Sequence, residues 1–385
     1  TSKNTPLHMP SRIALKSLLL TNGKIIFTQK ADQLLLKNLR LEALLPETHH
    51  EAFPVQLKAT LEEKSEALSM TAELNYKGLL TLPPLDTNNT QLEKLELDGQ
   101  TTLQNLQVNN YYITTANAHT FFRDGILELN PLTLSLYNGE SVGQLHYQVK
   151  SRQLTMSQTG THLSAEPVFQ HIFNSHSSHF TGSLDFSFHA KGALTDSDWH
   201  KKMSFNGDFT VHNGTLAYIN LPAITAEATK TVHNMLSQNL EHMQKSLDNL
   251  KPWTLNNYSG TTIFELLNLQ YQTPGNGLLN YQLLLESKKL NLKGNGTLNI
   301  STTALKARLE AHIITKDKTT KITQQLLGDY FPLVVTGTLS NPVIHADSHL
   351  MQQMISTGGL PKTLIKPLKK LSDHIIKYAP KPTSE

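Results

Sequence analysis

Apolar side chains recur at every second position along much of this chain, and a glycine often heads the run. The phrase begins at Gly125, Gly182, Gly207, Gly214, Gly296 and Gly337. A period of two puts alternate side chains on opposite faces of a strand. Glycine at the head of each run is expected to supply the positive φ or the bulge that a turn between strands needs. Many such units in series predict a mainly β chain, a long antiparallel sheet with one apolar face. The alternation predicts strands at 23–28, 34–41, 55–61, 67–76, 92–97, 103–108, 111–118, 125–129, 132–136 and 144–149. It resumes at 261–267, 278–285, 289–292, 296–300, 306–314 and 333–339, and 83–89 reads as a loop.

Three stretches change period. Residues 165–173 predict one or two helical turns. Residues 222–249 predict a longer helix, with Ile224, Val232, Met235, Leu236 and Met243 among its apolar positions at three- and four-residue spacing. An isolated helix of this kind is marginal, so its stripe is expected to cover a flank of the apolar face, as a fixed lid or a movable gate. Residues 349–378 predict a tail broken by Gly358 and Gly359. In it Leu364, Leu368, Leu371 and Ile375 form a stripe flanked by Lys362, Lys366, Lys369, Lys370 and Lys377. A basic amphipathic helix of this type lies on an anionic membrane surface or caps the end of a sheet. Three regions follow: an N-terminal β region (1–204), a module containing the long helix (205–347) and the helical tail (348–385).

Composition narrows the function classes. Of 385 residues, 38% are hydrophobic and 17% charged, and the net charge is only +3. That charge, with no basic run interleaved with aromatics, argues against a nucleic-acid partner. The chain has no cysteine, which removes thiolate catalysis and Cys-ligated metal centres and makes the fold independent of redox state. No segment approaches the roughly 20 apolar residues of a membrane-spanning helix. The chain does not begin with methionine, and an N-terminal targeting or anchoring segment is expected to precede it.

The candidate chemistry is thin. Residues 139–143 match the Gly-x-Ser-x-Gly nucleophile elbow, but that motif needs a strand before it and a helix after it. Here strands flank it on both sides, so it reads as a glycine-flanked hairpin turn. Ser141 is then expected to be an exposed turn residue that tolerates alanine. His171, His176 and His179 are close in sequence but lack the spacing of ligands on one helical face. Asp196 and Asp198 read as loop residues. No catalytic residue, metal or cofactor is expected, and a serine hydrolase remains only a remote alternative.

Several phrases in order resemble the AsmA-like family of Gram-negative envelope proteins. They are Phe205-Asn-Gly-Asp-Phe-Thr-Val-His-Asn-Gly-Thr-Leu, the helix from Pro222, Leu290 to Ile300, and Phe331-Pro-Leu-Val-Val-Thr-Gly-Thr-Leu-Ser-Asn-Pro. Residues 130–143 also resemble a family phrase. The resemblance covers about residues 125–342 well and the N-terminal third more loosely. It implies a periplasmic body anchored in the inner membrane by an N-terminal helix. It also implies kinship with TamB-like proteins and with chorein-type bridge-like lipid transfer proteins, whose sheets form a taco- or gutter-like groove for phospholipid tails. The family is further tied to outer-membrane protein assembly.

On this reading the groove is lined by Leu127, Leu129, Leu132, Leu134 and Leu136, by Phe186 and Phe188, and by Leu283 and Leu285. The expected partner is phospholipid, each buried methylene contributing about 0.8 kcal/mol. The inner membrane, and the inner leaflet or assembly machinery of the outer membrane, are further expected partners. The alternative from another class is an interaction scaffold for outer-membrane protein assembly, its sheet face filled by its own side chains.

Overall fold

Alternation of the kind described above folds into strands of nine to fourteen residues in most cases, in antiparallel sheet that is not closed into a barrel. The computed structural model describes residues 16–29, 32–46, 51–64, 69–82, 95–109, 111–173, 180–194, 202–217, 219–236, 253–254, 260–318, 320–321, 329–339 and 341–351. The chain divides into two units. One comprises Thr1–Thr161 with His189–Trp199, and the other His162–Phe188 with His200–Glu385.

The first unit is a meander. Its strands are β1 (Ser17–Gln29), β2 (Asp32–Leu44), β3 (Phe53–Lys64), β4 (Ser69–Thr81), β5 (Glu96–Val108), β6 (Tyr111–Arg123), β7 (Ile126–Leu136), β8 (Gly139–Gln148) and most of β9 (Gln153–Ser164). Each pairs antiparallel with the next. Two-residue turns join β6 to β7 at Asp124-Gly125 and β7 to β8 at Tyr137-Asn138. All four residues have positive φ, between 50° and 72°, the backbone that matches the twist of flanking strands. The 125–129 and 132–136 runs are therefore one strand with a register shift between Leu129 and Leu132. The predicted turn at 139–143 moves upstream: Gly139 opens β8, and Ser141 lies inside the strand, 1% exposed.

The second unit begins with α1 (Ala165–Phe173). It continues through β10 (Phe180–Ala193), whose last residues belong to the first unit, and β11 (Ser204–Ala217). Then come α2 (Leu221–Leu236), β12 (Trp253–Thr254), β13 (Thr261–Thr273), β14 (Leu278–Glu286), β15 (Leu290–Asn299), β16 (Leu305–Ile313), β17 (Phe331–Thr338) and β18 (Asn341–Ala346). β11 pairs with β13, and β13 to β18 pair in succession. The chain crosses from β11 to β13 through α2, which starts where the Asn220 side chain accepts a hydrogen bond from the Ala223 amide at 3.0 Å. An asparagine N-cap with proline in the first turn is a strong helix start. The predicted helix at 222–249 is thus present to Leu236, and residues 237–249 lie outside the described residues.

The glycines correct one expectation. Gly125, Gly182 and Gly337 have positive φ, but Gly207, Gly214 and Gly296 sit within β11 and β15 and head no turn. What they supply is close approach. A Cβ on Gly296 would lie 2.6 Å from the Tyr281 ring, and one on Gly214 would overlap the ring of Phe264. An aromatic ring lying over a strand glycine covers backbone that would otherwise be bare.

Candidate apolar groove

Cross-strand partners share a face, so register sorts the paired side chains of the first unit. Leu127, Leu129, Leu132, Leu134 and Leu136 oppose Tyr147, Leu145, Gly143, Ser141 and Gly139 on β8. On the other side Leu127, Leu129, Leu132 and Leu134 oppose Phe122, Thr120, Ala118 and Ala116 on β6. The same face continues through Leu97 and Leu103 on β5, where Leu106 packs with Ala72 and Ala116, and through Leu74, Tyr76 and Leu80 on β4. It runs on through Val55, Leu57 and Leu61 on β3, then Leu36, Leu41 and Ala43 on β2. The opposite face carries Lys58, Thr60, Glu62, Glu73, Asn75, Lys77, Gln100, Thr102 and Gln104. Strands β2 to β9 thus keep one mainly apolar and one mainly polar face.

Register shifts preserve this segregation. A slip of one residue would turn every later side chain to the wrong face. Between Leu129 and Leu132 β7 advances three residues while β8 advances two, from Leu145 to Gly143. That extra residue, a bulge, keeps the two leucine runs on one side although their spacing is odd.

The buried polar groups on the apolar face are paired within the protein. The Thr101 and Thr120 hydroxyls are 2.6 Å apart. Ser141 donates to Gln158 Oε1 at 3.1 Å, and the Gln158 amide reaches the Leu132 carbonyl oxygen at 3.5 Å. Tyr76 donates to the Leu79 carbonyl at 3.0 Å, and burial pushes its phenol up from its ordinary value. Pairing of this kind is what a buried polar group requires. Among the described residues of this unit there is no helix and no second layer over the apolar face. Leu132 is buried, whereas Leu127, Leu129, Leu134 and Leu136 stay half-buried.

The second unit repeats the segregation but covers part of its face. Leu283 and Leu285 on β14 share a face with Leu269 and Leu267 on β13, and with Gly294 and Leu292 on β15. Leu283 is half-buried, but Leu285 is 3% exposed and offers little surface to a ligand. Phe188 stacks on Phe205 at 5.9 Å, and Phe186, two residues earlier, shares its side of β10. α1 inserts Phe169 between Phe180 (4.3 Å) and Phe209 (5.4 Å). α2 lies against β13 and β16, with Ile224 and Ala228 fully buried. The side chains of Val232, Met235 and Leu236, and the whole of Met243, lie outside the described residues, as do Lys362, Lys366, Lys369, Lys370 and Lys377. His176, His179, Asp196 and Asp198 and the His171 side chain also fall outside.

Sequence reading missed β9 and the character of β1. The latter exposes Leu18, Leu20 and Ile25 on the apolar face and Leu19 and Ile26 on the other. Among the described residues no group of three or more His, Asp or Glu is placed to hold a metal ion, and no helix is long and apolar enough to cross a membrane. Comparison with family models, curated proteins and solved structures finds no match to this chain.

Proposed function

We propose that this chain is an AsmA-like envelope protein that binds phospholipid acyl chains along its apolar sheet face and contributes to lipid transport between inner and outer membrane. One observation carries the reading: β2 to β9 hold most of their apolar side chains to one side, and no described element of that unit covers them. An apolar face of this extent calls for a partner, and acyl tails suit walls that carry few, internally paired polar groups. On this reading the body is periplasmic and tethered to the inner membrane by a preceding anchor. It delivers lipid toward the inner leaflet of the outer membrane, and it acts by binding rather than by catalysis. Native mass spectrometry of the chain purified from its host tests this directly. Adducts with phospholipid masses are expected, and a lipid-free protein from membrane-containing lysate overturns the reading.

The alternative scaffold role draws on a different observation. β1 exposes apolar side chains on both faces, with Leu19 62% and Ile26 49% exposed, as suits a strand that receives a partner protein.

A further inference from the structure

The polar face of the second unit is hollowed where β11, β13, β14, β15 and β16 run side by side. The hollow measures about 940 Å³. Two complete cross-strand rungs supply its side chains. One runs from Asn206 through Gln272, Asn280 and Thr297 to Lys306, and the other from Asp208 through Gln270, Gln282 and Asn295 to Arg308. Five strands at about 4.8 Å spacing make the trough about 19 Å across.

Six of the ten rung positions are amides, Asn206, Gln270, Gln272, Asn280, Gln282 and Asn295, all exposed. None of the six side chains hydrogen-bonds to another described residue, whereas the next rung pairs Asn268 with Thr210 at 2.8 Å and Lys293 with Glu310 at 2.9 Å. The charges sit at the ends: Lys306 and Arg308 on β16, and Asp208 on β11, where the Ser187 hydroxyl donates to it. Arg308 is held only loosely, 3.9 Å from Asp347. The opposite side of this band is braced by Tyr271 and Tyr281, whose hydroxyl oxygens lie 2.9 and 2.6 Å from where Cβ atoms on Gly207 and Gly296 would stand.

Each amide offers donors and an acceptor in one plane, which matches hydroxyls that donate and accept in turn. Acyl chains find a mostly polar lining here. We propose that this trough binds a hydroxyl-rich oligosaccharide bearing an acidic group, with the sugar hydroxyls on the amide rungs and the acid at Lys306 and Arg308. It is a second site, on the face opposite the apolar one, and does not depend on the lipid reading.

Isothermal titration of the full chain with tetragalacturonate and with neutral cellotetraose tests it. Tetragalacturonate is expected to bind, at least tenfold tighter than cellotetraose. Gln270→Ala with Gln282→Ala should weaken both sugars by tenfold or more. Lys306→Gln with Arg308→Gln should abolish the preference for the acidic one. All four side chains are exposed, so melting temperatures should not move. Absence of heat with either sugar at millimolar concentration overturns the site, as does binding indifferent to the glutamine substitutions. Equal binding of the two sugars overturns the role given to the cations. Capture by phosphatidylglycerol vesicles that the same substitutions abolish, with no sugar bound, would reassign the trough to lipid headgroups and equally overturn it.

Discussion

Ser141 on β8 donates its hydroxyl hydrogen to the side-chain oxygen of Gln158, one diagonal step away on β9, and both are buried on the apolar face. The pair explains how a Gly-x-Ser-x-Gly phrase can be structural. The partner of the hydroxyl is an amide, which has no basic nitrogen to accept its proton. Ser141→Ala is therefore expected to cost about 1–3 kcal/mol, because it leaves the Gln158 oxygen buried without a donor. Adding Gln158→Leu should recover much of that loss. Urea unfolding midpoints check both, and an unchanged midpoint in the single variant contradicts the assignment. A fluorophosphonate probe should leave Ser141 unlabelled.

Photo-crosslinking separates the two faces of a single strand. Leu134 lies on the apolar face and Thr133 on the polar one, where it opposes Val142. A crosslinking residue at 134 should capture phospholipid in cells, and the same residue at 133 should not. Equal capture at both positions would mean non-specific membrane contact. Leu134 is preferable to Leu285 as a probe site, since Leu285 is enclosed by protein.

Much of the architecture was legible because period two is a local signal. Leu132–Leu136 and Leu278–Leu285 read as strands from their own residues, and α1 declared itself where that period broke. β9 escaped because its apolar-face positions include Gln158 and Gly160 between Met156 and the strand end. Its membership of the face is fixed by β8, a non-local partner. Ser141 was misplaced for a similar reason: glycines on both sides suggest a turn, yet the turn lies at Tyr137-Asn138, where asparagine tolerates positive φ. Neither Gly207 nor Gly296 announces in sequence the tyrosine beside it, which arrives from another strand. The amide trough was illegible too, since Asn and Gln at alternate positions look like any solvated face until the rungs align.

Alkaline titration reports on the tyrosines behind that trough. Burial pushes Tyr271 up to about 12, with the nearby Asp208 carboxylate adding to it, and burial alone pushes Tyr281 up to about 12, against an ordinary 10.0. Between those values the unfolded chain releases protons that the folded chain keeps. Their contribution to stability is therefore complete below pH 10 and is lost as pH rises toward about 12. Unfolding midpoints should fall across that window, less steeply in Tyr271→Phe and Tyr281→Phe. Phenolate absorbance should show each variant missing one late-titrating group. Loss of an early-titrating group instead would contradict their burial.

Gly214 is expected to resist substitution. A Cβ there would overlap the Phe264 ring and the Thr181 carbonyl oxygen. Phe264 is 1% exposed and packs against Phe180 at 5.7 Å, which in turn packs against Phe169 of α1 at 4.3 Å. The ring has nowhere to retreat, so Gly214→Ala should destabilise the unit by about 1–3 kcal/mol through overpacking. The strain should pass along the three rings to α1 and alter the near-ultraviolet circular dichroism of the phenylalanines. Phe264→Leu alone also costs stability, by opening space. Combined with Gly214→Ala it should cost less than the sum of the two, because the smaller side chain makes room for the new methyl group. A double-mutant cycle measures that coupling, and strictly additive losses would show that ring and glycine do not share the same space.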